Sequence, residues 1–166
     1  MISGDDRWYQ VCDRITTAIV AELTLPVCRA GVVPGLIAWD DCSCGLLATT
    51  WALLMGSSVF PQEQVYVEGN CDTPWEVAEV AVQVIRCSPS PDGEANAPTV
   101  AALAATARQM DTDATQMRRA CMQLLCGLKD SYDIVDFLVA RNTPQGPEGG
   151  CVGSELRMYV ALPRNV

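Results

Sequence analysis

The sequence contains no histidine, carries few charges and few aromatics, and has no long uncharged apolar run. Each absence closes a class of function. Imidazole is the usual general base near neutral pH and the commonest metal ligand. Without it, neither a Ser–His nor a Cys–His nucleophile pair can be built within one chain, and histidine-containing metal sites are closed too. Basic residues are scarce: 11 Lys and Arg stand against 20 Asp and Glu, with no basic run. That balance argues against wrapping nucleic acid, whose binding draws on cations that neutralise phosphates. An acidic wall still suits DNA that must slide past without sticking, because like charges repel. No stretch approaches the ~18 consecutive apolar residues of a membrane span. Residues 1–25 lack the cationic start and small-residue cleavage site of a secretory leader.

What is present points to buried surface. Hydrophobic residues make up 49% of the chain and charged ones 19%, below the usual ~25% charged. With no membrane segment to absorb it, the surplus apolar surface is most simply buried between subunits, and a homo-oligomer is expected. The length of 166 residues suits a single domain over 1–166. Such a domain buries roughly 70% of the surface of its unfolded chain. The chain is expected to work through its surface and its assembly, as a non-enzymatic subunit with no catalytic, cofactor-binding or metal-ligating set.

Periodicity predicts the elements. Ser3 and Asp6 resemble a helix N-cap with its acidic partner. Trp8, Val11, Cys12, Ile15, Ile19 and Leu23 then recur at helical spacing up to Pro26. A short strand is expected at Leu36–Trp39. A second is preferred over a helix at 46–55, because Gly45 and Gly56 bracket it at strand length. Thr73-Pro74-Trp75-Glu76 reads as a capping box, opening a helix to Arg86 with Glu76, Glu79, Gln83 and Arg86 as its polar stripe. Two further helices are expected, from Thr99 to Met110 and from Asp111 to about Gly127. Strands follow at Ile134–Arg141 and Glu155–Leu162, joined by a long loop at 142–153. The order α-β-β-α-α-α-β-β predicts an α+β fold, with a small, mainly antiparallel sheet flanked by helices.

The nine cysteines are the main candidates for chemistry. Zinc sites favour C-x2-4-C pairs, and only Cys121 and Cys126 fall in that range, on a predicted helix. Disulfides are the second reading, with Cys28, Cys42, Cys44 and Cys71 in loops or at strand ends. The preferred reading is that most are buried, reduced and non-catalytic, since a free cysteine behaves as a small hydrophobe. Asp40-Asp41 reads as a solvated turn. Residues 146–153 are glycine-rich but match no phosphate-binding motif and precede a strand. Trp39 and Trp51 are assigned to core or interface packing. The loop 142–153 is expected to be an interface arm, costly to order without a partner, with Pro144, Gln145, Gly146, Pro147 and Glu148 at its centre.

The segments VPGLIAWDDCSCGLL (33–47) and NTPQGPEGGCVGSEL (142–156) resemble small virion proteins of long-tailed phages infecting actinobacteria. The predicted element order is similar to that of the tail-terminator family. The resemblance implies a hexameric ring of this chain at the top of the tail, in the virion and assembled in the host cytoplasm. Its implied partners are other copies of itself, the major tail tube protein and the head–tail connector protein. DNA would pass only through the lumen, and no membrane is involved. Another neck role, as adaptor or stopper, is the alternative. A cysteine-rich metal- or thiol-dependent enzyme is the outside reading.

Overall fold

A computed structural model describes residues 2–35, 41–63, 74–91 and 96–163. Within them the chain forms helix α1 (Arg7–Glu22), strands β1 (Arg29–Val32), β2 (Leu46–Ser57) and β3 (Trp75–Cys87), helix α2 (Val100–Asp130), and strands β4 (Asp136–Glu148) and β5 (Cys151–Pro163). The five strands make one sheet in the order β1-β2-β3-β5-β4. Only the β1–β2 pair is parallel. This is the α+β arrangement expected, with a mostly antiparallel sheet and helices packed on it. Among the described residues, no helix is long and apolar enough to cross a membrane.

The two helices pack against each other and on the same face of the sheet. α1 forms where its apolar spacing predicts and turns Trp8, Val11, Cys12, Ile15 and Ile19 inward. Its N-cap is Asp6, without a side-chain capping bond. Ser3 instead offers its carbonyl to the Gln10 side chain at 2.7 Å. α2 turns Met117, Ala120, Cys121, Leu125 and Leu128 onto the sheet. There they meet Ala78, Val80, Val82 and Val84 of β3 and Leu156, Met158, Val160 and Leu162 of β5.

Several expectations are corrected. The segment predicted as the helix 74–86 is the central strand β3, hydrogen-bonded to β2 on one side and β5 on the other. It is buried on both faces, by Val80, Val82 and Val84 towards the helices and Val77, Ala81 and Ile85 on the opposite side. A doubly buried strand shows no polar alternation, and its polar residues happen to fall at helical spacing. The two helices expected on either side of Met110 are one helix. Thr99 caps it, its hydroxyl accepting from the Ala102 amide at 3.2 Å. Asp111 starts nothing. The strand expected at Leu36–Trp39 and the capping residue Thr73 lie outside the described residues.

The long loop predicted at 142–153 does not form. β4 and β5 pair through it as far as Glu148 and Cys151, with a register shift between Gln145 and Glu148. Gly149 (φ 57°) and Gly150 (φ 78°) make the two-residue turn. Two successive positive φ values are what a tight hairpin of matching twist requires, and glycine accepts them without a steric penalty. Pro144 and Pro147 are tolerated because β4 is an edge strand.

Candidate functional site

The sheet face opposite the helices carries an ionic ladder built by cross-strand register. Adjacent rows run Leu53–Glu79–Tyr159–Leu138, then Ala81–Arg157–Arg141, then Ala48–Gln83–Glu155–Thr143. Arg157 is the hub. It donates from Nη1 to Glu79 and from Nε to Glu155 at 2.6 Å. Gln83 donates to the second Glu155 oxygen at 2.7 Å, and the Tyr159 hydroxyl to Glu79 at 3.3 Å. Burial alone would raise the Glu155 carboxyl; the bonds from Arg157 and Gln83, with the charges of Arg157 and Arg141, outweigh it and hold the group below its ordinary value. The two carboxylates in turn push the Arg157 guanidinium up. A carboxyl held ionised in this way is a poor proton donor near neutral pH, so Glu155 serves as an acceptor and a fixed charge. Leu53 and Leu138 flank the ladder, 44% and 42% exposed.

A second cluster lies at one end of the sheet and is rich in sulfur. Cys28 is disulfide-bonded to Cys44 and Cys42 to Cys151. The free thiol of Cys87, the last residue of β3, sits 3.1 Å from the Cys42 sulfur. Of these, Cys42, Cys44 and Cys87 border a cavity of about 430 Å³ also lined by Leu25, Pro26, Arg86 and Gln109. At its edge Arg86 makes a two-point ion pair with Asp113 of α2, at 3.0 and 3.1 Å. Arg86 also donates to the carbonyls of Leu25 and Pro26, at 2.6 and 2.9 Å. Gly45 passes so close that a Cβ there would stand 2.8 Å from the Arg86 Nη1.

The expectation that most cysteines are buried and reduced is therefore corrected. Among those described, Cys28, Cys42, Cys44 and Cys151 are in disulfides, while Cys87 and Cys126 are free and exposed. Among the described cysteines, only Cys12 and Cys121 are buried free thiols, on the apolar helix faces where periodicity puts them. Cys71 lies outside the described residues. Among the described residues, no group of three or more Cys, Asp or Glu is placed to hold a metal ion. Asp41 is a turn residue: its carboxylate accepts from the Ser43 amide at 2.9 Å, which holds it below its ordinary value. Asp40 lies outside the described residues.

The predicted interface residues are not brought together. Trp51, on β2, is half-buried against the main core and borders a cavity of about 160 Å³ beside Glu155 and Arg157. Pro144, Gln145, Gly146, Pro147 and Glu148 lie on β4, separated from it by β3 and β5. Of these five, all but the half-buried Gln145 are exposed. Trp39 lies outside the described residues. Missed altogether is the start of α2, where Val100 is 82% and Leu103 48% exposed. Its signal is in the sequence: no charge occurs from Ala95 to Ala107.

Compared with models of known protein families, the chain matches none, and it matches no curated protein.

Proposed function

We propose that the protein is a structural subunit that assembles with copies of itself into a ring, in the role of a phage tail terminator. The observation that carries this reading is the first part of α2. A helical stretch facing water normally presents charged residues on its outer side, yet Val100–Ala107 presents alanine, leucine and valine, much of it exposed. Exposed apolar surface of this kind marks contact sites. A second copy is the simplest occupant, because the chain's whole composition carries the same apolar surplus. Leu53 and Leu138, exposed beside the ionic ladder on the sheet face opposite the helices, add to it.

Two features support the terminator role in particular. The segments 33–47 and 142–156 resemble phage virion proteins, and a net charge of −9 suits a lumen through which DNA must pass without sticking. The observed order keeps the N-terminal helix, an early strand pair and the final strand pair of that family, replaces part of its helical middle by β3, and has a tight Gly149-Gly150 turn where the family's long loop would stand. In this reading the ring sits at the head–tail junction of the virion, its partners are the tail tube protein and the head connector, and it needs no cofactor and no catalysis. Another neck role remains the alternative.

The test has two arms. Native mass and single-particle imaging should find a ring, most simply of six, and L103E combined with A107E should give folded monomers. Added to polymerising tail tube protein, the wild-type ring should stop tube growth and the double variant should not. A wild-type chain that stays monomeric with and without the tube protein overturns the assembly reading. A ring that leaves tube length unchanged overturns only the terminator role.

A further inference from the structure

We propose that Cys42, Cys87 and Cys151 form a thiol–disulfide exchange site, in which one covalent staple is shared by two neighbouring strands and the free thiol moves between an exposed and a buried position. The three sulfurs converge because of the sheet register. Cys87 ends β3 and Cys151 begins β5, and the two are directly paired in the ladder. Paired residues of antiparallel strands have Cα atoms ~4.5–5.5 Å apart, so a cysteine packed over that pair is within reach of both. Cys42 occupies that position, packed against Ile85 and Cys151. It is bonded to Cys151, with the Cys87 sulfur 3.1 Å away. That separation matches the ~3–3.5 Å of reacting atoms held ready for attack. Cys87 is free and exposed beside the open cavity, so its proton has a route to water.

The step balances within the chain. Exchange proceeds by thiolate attack on a disulfide sulfur. Cys87 gives its proton to solvent and its sulfur bonds to that of Cys42. The Cys42–Cys151 bond breaks, and its electron pair leaves on Cys151, which takes up a proton. One disulfide is present before and after, and no oxidant or reductant is consumed. The two isomers differ in accessibility. With Cys42 bonded to Cys151, the free thiol is the exposed Cys87. With Cys42 bonded to Cys87, it is Cys151, 2% exposed, where burial disfavours the thiolate and shields it from reagents. In both, the segment before β2 stays stapled to the end of the sheet. The site thus shows or hides one reactive surface thiol without opening the fold.

The experiment maps disulfides in the full-length chain. The native protein is held without reductant at about pH 8.5, near the ordinary cysteine pKa, then acid-quenched, unfolded in acid, labelled with a maleimide and digested. Label is expected at both Cys87 and Cys151 and not at Cys42, with the minor isomer at about one chain in ten or more, a gap of no more than ~1.4 kcal/mol. With dissolved oxygen as the oxidant, C151S should form the Cys42–Cys87 disulfide, and C87S should hold only Cys42–Cys151. Label on Cys87 alone in the wild type overturns the proposal. So does a folded C151S in which Cys42 and Cys87 both react. If C151S does not fold, the wild-type map decides.

Discussion

Replacing Asp113 by alanine should be the most damaging single change outside the aliphatic core. Asp113 is 1% exposed and Arg86 8%, so neither charge is solvated. The carboxylate takes two bonds from the guanidinium, at 3.0 and 3.1 Å, and a third from Gln109 at 2.9 Å. The guanidinium's other bonds go to the Leu25 and Pro26 carbonyls. The pair therefore ties β3 to α2 and to the segment after α1. Breaking a buried pair from one side leaves an uncompensated charge, at a cost of about 3–5 kcal/mol. That is a large part of the ~5–15 kcal/mol by which domains are stable. For a chain of this length, each kcal/mol moves Tm by about 2–4 °C, so D113A should melt roughly 6–20 °C lower. D113N keeps the shape and loses the charge, and should fall between. Removing both partners as R86M with D113L leaves no orphaned ion and should recover most of the loss, since apolar replacements of buried pairs are often neutral. Thermal and urea unfolding followed by circular dichroism measure all four chains. The reasoning is refuted if D113A lies within about 1 kcal/mol of wild type, or if the double variant is no more stable than D113A.

The ionic ladder predicts acid sensitivity. Glu155 has a folded-state pKa below its ordinary value, so its contribution is complete above the unfolded carboxyl pKa of ~4.3. It is lost as pH falls from there through the folded value. Urea midpoints should therefore drop below about pH 4.3 in wild type and less steeply in E155Q; equal slopes would remove the ladder as the cause. The buried thiols predict a labelling order. Burial pushes Cys12 and Cys121 each up to about 12, so native alkylation near neutral pH should spare both, and both should react only on unfolding. Labelling of either at the rate of Cys126 would contradict its place in the core.

How much of this was legible in the sequence depends on where each residue finds its partner. α1 could be read because one of its faces is apolar and the others are polar, and that contrast is local. β3 could not, because its polar residues have partners distant in sequence. Glu76 and Arg86 point to the helix face, where Glu76 takes bonds from Arg7 and Trp8 and Arg86 meets Asp113. Glu79 and Gln83 point the other way, to Arg157 and Glu155 of β5. Read locally, the same four residues make a helical stripe. The contrary sign was available in the β-branched run Val77, Val80, Val82, Val84 and Ile85, which favours a strand. The hairpin was hidden by composition: glycine and proline suggest a loop, yet two of the glycines are a tight turn and the prolines sit on an edge strand. The sulfur cluster was beyond local reading altogether. Cys42 and Cys151 are 109 residues apart, and only the β3–β5 register sets Cys87 beside them. The same register, continued along the strands, builds the ionic ladder on the face opposite the helices. One alignment of β3 with β5 therefore creates both candidate sites, and a slip of one residue would turn the ladder's side chains to the opposite face and part Cys87 from Cys151.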